Sequence, residues 1–259
     1  MKALAARRHH RFAPIVLLLL ALLVTGGVYT ALAPSPATAD TASTADIETG
    51  KKLFQANCAT CHGPFAQGTT EAPSLVGVGA AAVDFQVSTG RMPMQMHGPQ
   101  AAEKPRQLDE EQTAALAAFV ASLGAGPAIP TDEQVDAAQG DVANGAALFR
   151  TNCAMCHNAV GAGGALSEGK WAPALWETSD RNIYQAMLTG PQSMPVFNDA
   201  TIDPEEKRDI IAFVVDQREG SAGGSALGAL GPVSEGLWAW VIGLGLIIGA
   251  AVWIGAKSS

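Results

Sequence analysis

At 259 residues, with 15% charged and 48% hydrophobic side chains, the chain is long enough for two or three small domains and apolar enough for part of it to lie in lipid. Its net charge is −8, and the acids are concentrated: residues 34–234 hold 11 Lys/Arg against 23 Asp/Glu, a net of −12. A middle section this acidic argues against nucleic acid as a partner, which needs basic stripes, and favours neutral or basic partners instead.

The first segment, 1–33, reads basic and then apolar. Arg7, Arg8 and Arg11 (with His9 and His10 beside them) precede a run from Ile15 through Val24. It is either a signal peptide, with small-residue cleavage sites at Ala31-Leu32-Ala33 or Ala37-Thr38-Ala39, or a retained transmembrane helix over Phe12 to Ala33. Either way the positive charge stays inside and the chain beyond this segment is exported. Residues 34–45 form a linker of Pro, Ser, Thr and Ala without apolar period. Structure is expected to begin near Asp46 as a helix N-cap, with Ile47, Gly50, Leu53 and Phe54 on one helical face.

That helix delivers the chain to Cys58-Ala59-Thr60-Cys61-His62, and the same pattern returns as Cys153-Ala154-Met155-Cys156-His157. The two runs contain every cysteine in the protein. Cys-x-x-Cys-His is the attachment signature of c-type haem: two thiols add across the porphyrin vinyl groups and the adjacent imidazole ligates the iron. A zinc site would need further ligands beside each pair, and no other cysteine exists to supply them. Two covalently bound c-type haems are therefore expected, held by Cys58, Cys61 and His62 and by Cys153, Cys156 and His157.

The repetition extends well beyond the motifs. Val142, Gly145, Leu148, Phe149 and Asn152 match Ile47, Gly50, Leu53, Phe54 and Asn57 at an offset of 95. Each motif is followed by a glycine-rich loop, an Ala-Pro-x-Leu at 72–75 and 172–175, a Thr-Gly at 89–90 and 189–190, and a Met-Pro. Each copy closes with an amphipathic helix, in which Leu116, Phe119 and Val120 answer to Ile210, Phe213 and Val214. Asp109 and Asp203 are placed to cap those helices, with Pro204 in a favoured first position. The expected organisation is a small helical domain over 46–124, a linker over 125–139, a second domain over 140–219 and a linker over 220–236. Residues 237–256 are uncharged, flanked by Trp238, Trp240 and Trp253 and ended by Lys257, and read as a transmembrane helix. The fold class is mainly α.

The sixth ligand position on each iron decides between electron transfer and ligand chemistry. Met92-Pro93 and Met194-Pro195 occupy equivalent places, and a methionine thioether opposite histidine fills the site and raises the potential. Met187 competes with Met194 but lies on an apolar face with Ile183, Tyr184 and Leu188, as core filler does. Met94, Met96 and His97 crowd Met92; the duplicate register favours Met92, with Met94 and Met96 as the alternatives, and His97 reads as an exposed loop residue. The expected iron ligands are His62, Met92, His157 and Met194. Pro73 and Pro173 offer carbonyls that could accept from the second ring nitrogen of each histidine. No nucleophile–base pair or second metal-binding cluster suggests a substrate pocket.

With these residues assembled, the chain resembles the dihaem cytochrome c subunit of the actinobacterial cytochrome bc complex, a menaquinol:cytochrome c reductase. The resemblance covers the basic-apolar N-terminus, two tandem class I cytochrome c domains and the C-terminal helix. It implies an electron-transfer subunit of a translocase, without a quinol site of its own, in the cell membrane with its haem domains on the extracytoplasmic face. The implied partners are a cytochrome b subunit, a Rieske iron–sulfur subunit as electron donor and a haem–copper oxidase as acceptor in one supercomplex. It also implies that each opening helix packs across its closing helix, with Gly50 and Phe54 near Phe119, and Gly145 and Phe149 near Phe213. An alternative is a membrane-anchored dihaem carrier serving a cbb-type oxidase or a periplasmic dehydrogenase. A haem enzyme or gas sensor would require Met92 or Met194 to leave its iron open.

Overall fold

The computed structural model describes residues 12–32, 43–96, 98–220 and 232–256. The N-terminal arginines, His9 and His10, the Ala37-Thr38-Ala39 site, most of both flanking linkers, His97 and Lys257 lie outside the described residues. Helices dominate, and the chain divides into two compact units. The first unit comprises 1–84 and 107–129; the second comprises 85–106 and 130–259.

An apolar helix, α1 (Ala13–Leu32), comes first. In the first unit, α2 (Thr44–Asn57) starts three residues earlier than an Asp46 cap would place it. Ser43 is the cap: its hydroxyl accepts from the Asp46 N–H at 3.2 Å, and the Asp46 carboxylate accepts from the Ser43 N–H at 3.1 Å. Asp46 is thus the returning half of a capping box, which satisfies two helix-end donors where a lone cap satisfies one. A one-turn helix, α3 (Ala59–His62), comes next, then α4 (Gly79–Ser88), whose residues from Phe85 onward belong to the second unit, and α5 (Glu110–Ser122). Asp109 caps α5 as expected, with Gln112 closing its box.

The core of the first unit is the crossing of α2 and α5. A Cβ built on Gly50 would lie 1.9 Å from the Ala115 carbonyl oxygen, so the backbones meet where only glycine fits. One turn on, Phe54 is fully buried with its ring 5.3 Å from that of Phe119. This is the packing that the family resemblance implied.

The second unit repeats it. A short helix α6 (Asp132–Val135) and a 3-10 turn (Ala137–Gln139) occupy the stretch read as a linker, and Val135 and Ala137 pack on the core. Next come α7 (Val142–Asn152), the single turn α8 (Ala154–His157), α9 (Asp180–Thr189) and α10 (Pro204–Glu219). The loop after α8 carries a two-stranded antiparallel hairpin, β1 (Gly164–Ala165) with β2 (Trp171–Ala172). A Cβ on Gly145 would lie 1.9 Å from the Asp209 carbonyl oxygen, and the Phe149 and Phe213 rings are 5.1 Å apart. The Asp209 carboxylate reinforces the crossing by accepting from the Asp141 N–H at 2.7 Å and the Asn144 side chain at 2.8 Å. Ile183, Tyr184 and Met187 of α9 complete the core. Asp203 caps α10 with Pro204 in its first turn, as the sequence predicts.

The last helix, α11 (Pro232–Ala256), begins before the apolar run. Its stretch Gly236–Ala256 is, among the described residues, the one long and apolar enough to cross a membrane, and none of it is buried in protein. The apolar stretch of α1 over Ala13–Val28 is shorter.

Candidate functional site

Both Cys-x-x-Cys-His runs are built identically from the preceding helix. Cys58 ends α2 and Cys153 ends α7, each donating its N–H to the phenylalanine carbonyl four residues back at 2.8 Å. The chain then re-enters helix for one turn. The His62 N–H donates to the Cys58 carbonyl and the His157 N–H to the Cys153 carbonyl, both at 2.9 Å. One helical turn therefore spans each motif, and its two thiols and imidazole project from a common side. Asn57 and Asn152, a repeated pair in the sequence, donate from their side chains to the Leu53 and Leu148 carbonyls one turn back at 2.9 Å.

After each histidine the backbone turns left-handed, at Gly63 (φ 80°) and Asn158 (φ 66°). The chain then folds back, with Gly68 and Gly163 donating to the His62 and His157 carbonyls at 2.8 and 2.9 Å. This return brings the Ala-Pro-x-Leu segments against the motif. His62 Nδ1 donates to the Pro73 carbonyl at 2.7 Å, and His157 Nδ1 donates to the Pro173 carbonyl at 3.0 Å. A carbonyl can only accept, so the proton resides on Nδ1 and the Nε2 lone pair is left to a metal. Burial pushes the His157 pKa down, partly opposed by the bond to Pro173, so the ring stays in the neutral form that ligates. Burial, with the neighbouring cysteine second, pushes the Cys58 thiol up to about 11 and the Cys153 thiol up to about 12. Both are thus neutral thiols before anything is attached to them.

In the second unit, Cys153, Cys156, His157 and Pro173 line a cleft with about 1250 Å³ of empty space, counting its mouth. Leu175, Ile183 and Phe197 give it apolar walls, and Met194 and Pro195 lie on the same lining. Met194 is half-buried at the core edge, its N–H donating to the Pro191 carbonyl at 3.0 Å. The turn before it needs Gly190: at φ 58° a Cβ there would lie 2.8 Å from the Met194 carbonyl oxygen. Met187 also lines the cleft but is 2% exposed within the core cluster. Two thiols, an imidazole with its free nitrogen defined and a thioether around an apolar cleft make up the donor set of a covalently attached haem, and the residues fit that group.

In the first unit, Cys58, Cys61 and His62 come together with Pro73. Met92 lies in the segment 85–106 that packs within the second unit; it is half-buried, with its N–H donating to the Gln86 carbonyl at 2.9 Å. Met94 and Met96 are exposed. The same segment supplies Thr89, half of the repeated Thr-Gly pair, and three residues that the sequence did not flag, Arg91, Gln100 and Glu103; all four line the second unit's cleft. Arg91, Gln100 and Glu103 carry no periodic or motif signal, and only the fold reveals their placement.

Comparison with known proteins agrees with this geometry. Residues 47–124 match the cytochrome c family, and residues 140–214 match the family described as cytochrome c oxidase, cbb3-type, subunit III. The chain is 48% identical over 253 residues to the cytochrome bc1 complex cytochrome c subunit of Corynebacterium efficiens, covering 90% of this chain and 85% of that one. It is 46% identical over 261 residues to the same subunit of Mycobacterium tuberculosis, covering 97% and 93%. With that of Corynebacterium diphtheriae it shares 43% identity over 277 residues, covering 99% of both.

Proposed function

The chain belongs to the family of cytochrome c subunits of the cytochrome bc1 complex, with two cytochrome c domains carrying two covalent c-type haems for electron transfer, and from that premise we propose its place in the electron path. It accepts electrons from a Rieske iron–sulfur subunit, beside a cytochrome b subunit, and passes them through both haems to a haem–copper oxidase held in the same assembly. The observation that carries this reading is the repeated site: two complete Cys-x-x-Cys-His turns, each with its histidine held by a proline carbonyl, in a chain whose relatives match it end to end. The cbb3-type likeness covers only 140–214, so an assignment to a cbb-type oxidase rests on far less of the chain.

The chemistry supplied by a bound haem is the storage of one electron. Everything else is done by this chain's own residues. Cys58 and Cys61, and Cys153 and Cys156, would hold the groups covalently. His62 and His157, oriented by Pro73 and Pro173, would each supply one iron ligand. Met92 and Met194 would supply the second, closing the iron to small ligands and keeping the potential high. The two sequence repeats run over 46–124 and 140–219, and the apolar stretch of α11 anchors them to the cell membrane. The haem domains face outward.

The ferric protein is expected to show the weak far-red band of methionine-ligated haem, with Met92→Ala and Met194→Ala each removing one haem's share and opening that iron to carbon monoxide when reduced. If neither substitution changes the spectrum, the ligand assignment is overturned. Copurification with cytochrome b and Rieske subunits is expected from native membranes. Quinol oxidation that persists after the gene is deleted would overturn the assignment to the complex.

A further inference from the structure

The segment 85–106 belongs to the first repeat by sequence but is built into the second unit. It is held there by side chains that replace backbone pairing. Gln100 donates to the Trp171 carbonyl at 2.9 Å and accepts the Trp171 N–H at 3.0 Å, taking a strand's place beside β2. The Ala101 N–H donates to the Gln192 side-chain oxygen at 3.2 Å. Held in this way, the segment presents one buried cation to the cleft. The Arg91 guanidinium lies 5.0 Å from the centre of the Phe85 ring and 3.4 Å from the Glu103 carboxylate, and both charged residues line the cleft with His157 and Met194. The pair is electrically lopsided. The Arg91 side chain is 10% exposed and that of Glu103 is 66% exposed, so water screens the carboxylate far more than the guanidinium.

We propose that Arg91, one residue before the methionine assigned to the first haem, sets the reduction potential of the second haem, raising it by placing a poorly screened positive charge in the wall of the cleft that holds Cys153, Cys156 and His157. A fixed cation favours the state of its neighbour with one more electron, and the low dielectric of an apolar cleft lengthens its reach. Glu103 opposes it and trims the effect. The proposal rests on the reading of this cleft as the second haem's seat, with Met194 as its far ligand.

The test is potentiometric titration of the full chain with both haems attached, in a Met194→His background that marks the second haem by moving its wave to lower potential. In that background, Arg91→Gln is expected to increase the oxidised-to-reduced ratio of the marked haem several-fold at fixed ambient potential, a tenfold change being 59 mV for one electron. Arg91→Lys, which keeps the charge, is expected to leave most of the potential in place. Glu103→Gln is expected to move the same wave the opposite way. Loosening of the cleft would move both neutral variants together, so opposite signs identify a charge effect. The proposal is overturned if Arg91→Gln and Glu103→Gln shift the marked wave in one direction, or not at all, or if only the other haem responds. If Met194→His itself moves no wave, the ligand reading fails. The two charge variants are then read on the Cys58→Ser, Cys61→Ser chain, which carries only the second haem, where opposite shifts of its wave sustain the proposal and their absence ends it.

Discussion

Tyr184 and Lys207 sit in the deepest part of the second unit's core, and both carry polar atoms into it. The Lys207 ammonium donates to the Asp199 carboxylate at 2.8 Å and to the Ile202 carbonyl, and lies 5.9 Å from the centre of the Tyr184 ring. The Tyr184 hydroxyl accepts from the Gln134 side chain at 3.2 Å. Burial, then the nearby Asp199 and Asp203 carboxylates, pushes the Tyr184 phenol from 10.0 up to about 12. The folded state therefore holds the phenolic proton more tightly than the unfolded chain does. That contribution to stability is intact below pH 10 and is lost as pH rises from 10 towards about 12, because the unfolded chain ionises first. Thermal unfolding across this window is expected to show a falling midpoint in the native sequence. Tyr184→Phe removes this contribution and flattens the fall. The sequence shows Tyr184 only as an apolar-face residue of α9; its proximity to two carboxylates and a buried lysine comes from α9 meeting α10.

The two helix crossings are the elements around which the haem sites are built. Gly50 and Gly145 appear in the sequence as members of a repeated face, and the family resemblance supplies their reason for being glycine. The structure turns that reason into a distance: 1.9 Å from a hypothetical Cβ to a backbone oxygen at each crossing. Neither oxygen lies on a side chain that could swing away, so an added methyl must move a whole helix. Gly145→Ala is expected to destabilise the second unit by about 3 kcal/mol, at the upper end of overpacking costs. Denaturant unfolding measures it, and a loss below about 1 kcal/mol would mean that α7 and α10 slide apart freely. Helix ends were legible for a related reason. Asp109 and Asp203 are local signals that act within one turn, and both cap as expected. Asp46 did not, because the actual cap, Ser43, sits in a Ser/Thr/Ala-rich stretch that offers several hydroxyls and no apolar period to select among them. The hairpin at β1 and β2 was likewise unreadable, with two residues per strand inside a glycine-rich loop.

At the scale of the whole chain, the 95-residue repeat correctly suggests two haem-bearing domains, yet the compact units do not divide where the repeat does. A repeat records how each half is built, whereas packing depends on which surfaces meet. The 85–106 segment meets the second unit through Gln100, Gln192 and Trp171, none of which is part of the repeated pattern. This makes the two haem motifs unequal in what their loss should do. Cys58→Ser with Cys61→Ser removes a group seated on α2 and α3; the docked segment loses only the bond from Met92, and the second unit's cleft and core are untouched. Haem content measured as pyridine haemochrome is expected to fall from two per chain to one, while unfolding of the second unit followed by tryptophan fluorescence of Trp171 and Trp176 stays where it was. Cys153→Ser with Cys156→Ser also halves the haem content but empties the cleft that Thr89, Arg91, Gln100 and Glu103 help to wall. An emptied apolar cleft forfeits the dispersion contacts and burial of everything lining it. Here the second unit's unfolding is expected to shift to lower denaturant, with the 85–106 segment becoming sensitive to protease at Arg91 or Lys104 before the rest of the chain. Equal loss of stability in both double variants would show that the segment answers to its sequence repeat and not to the unit in which it is packed.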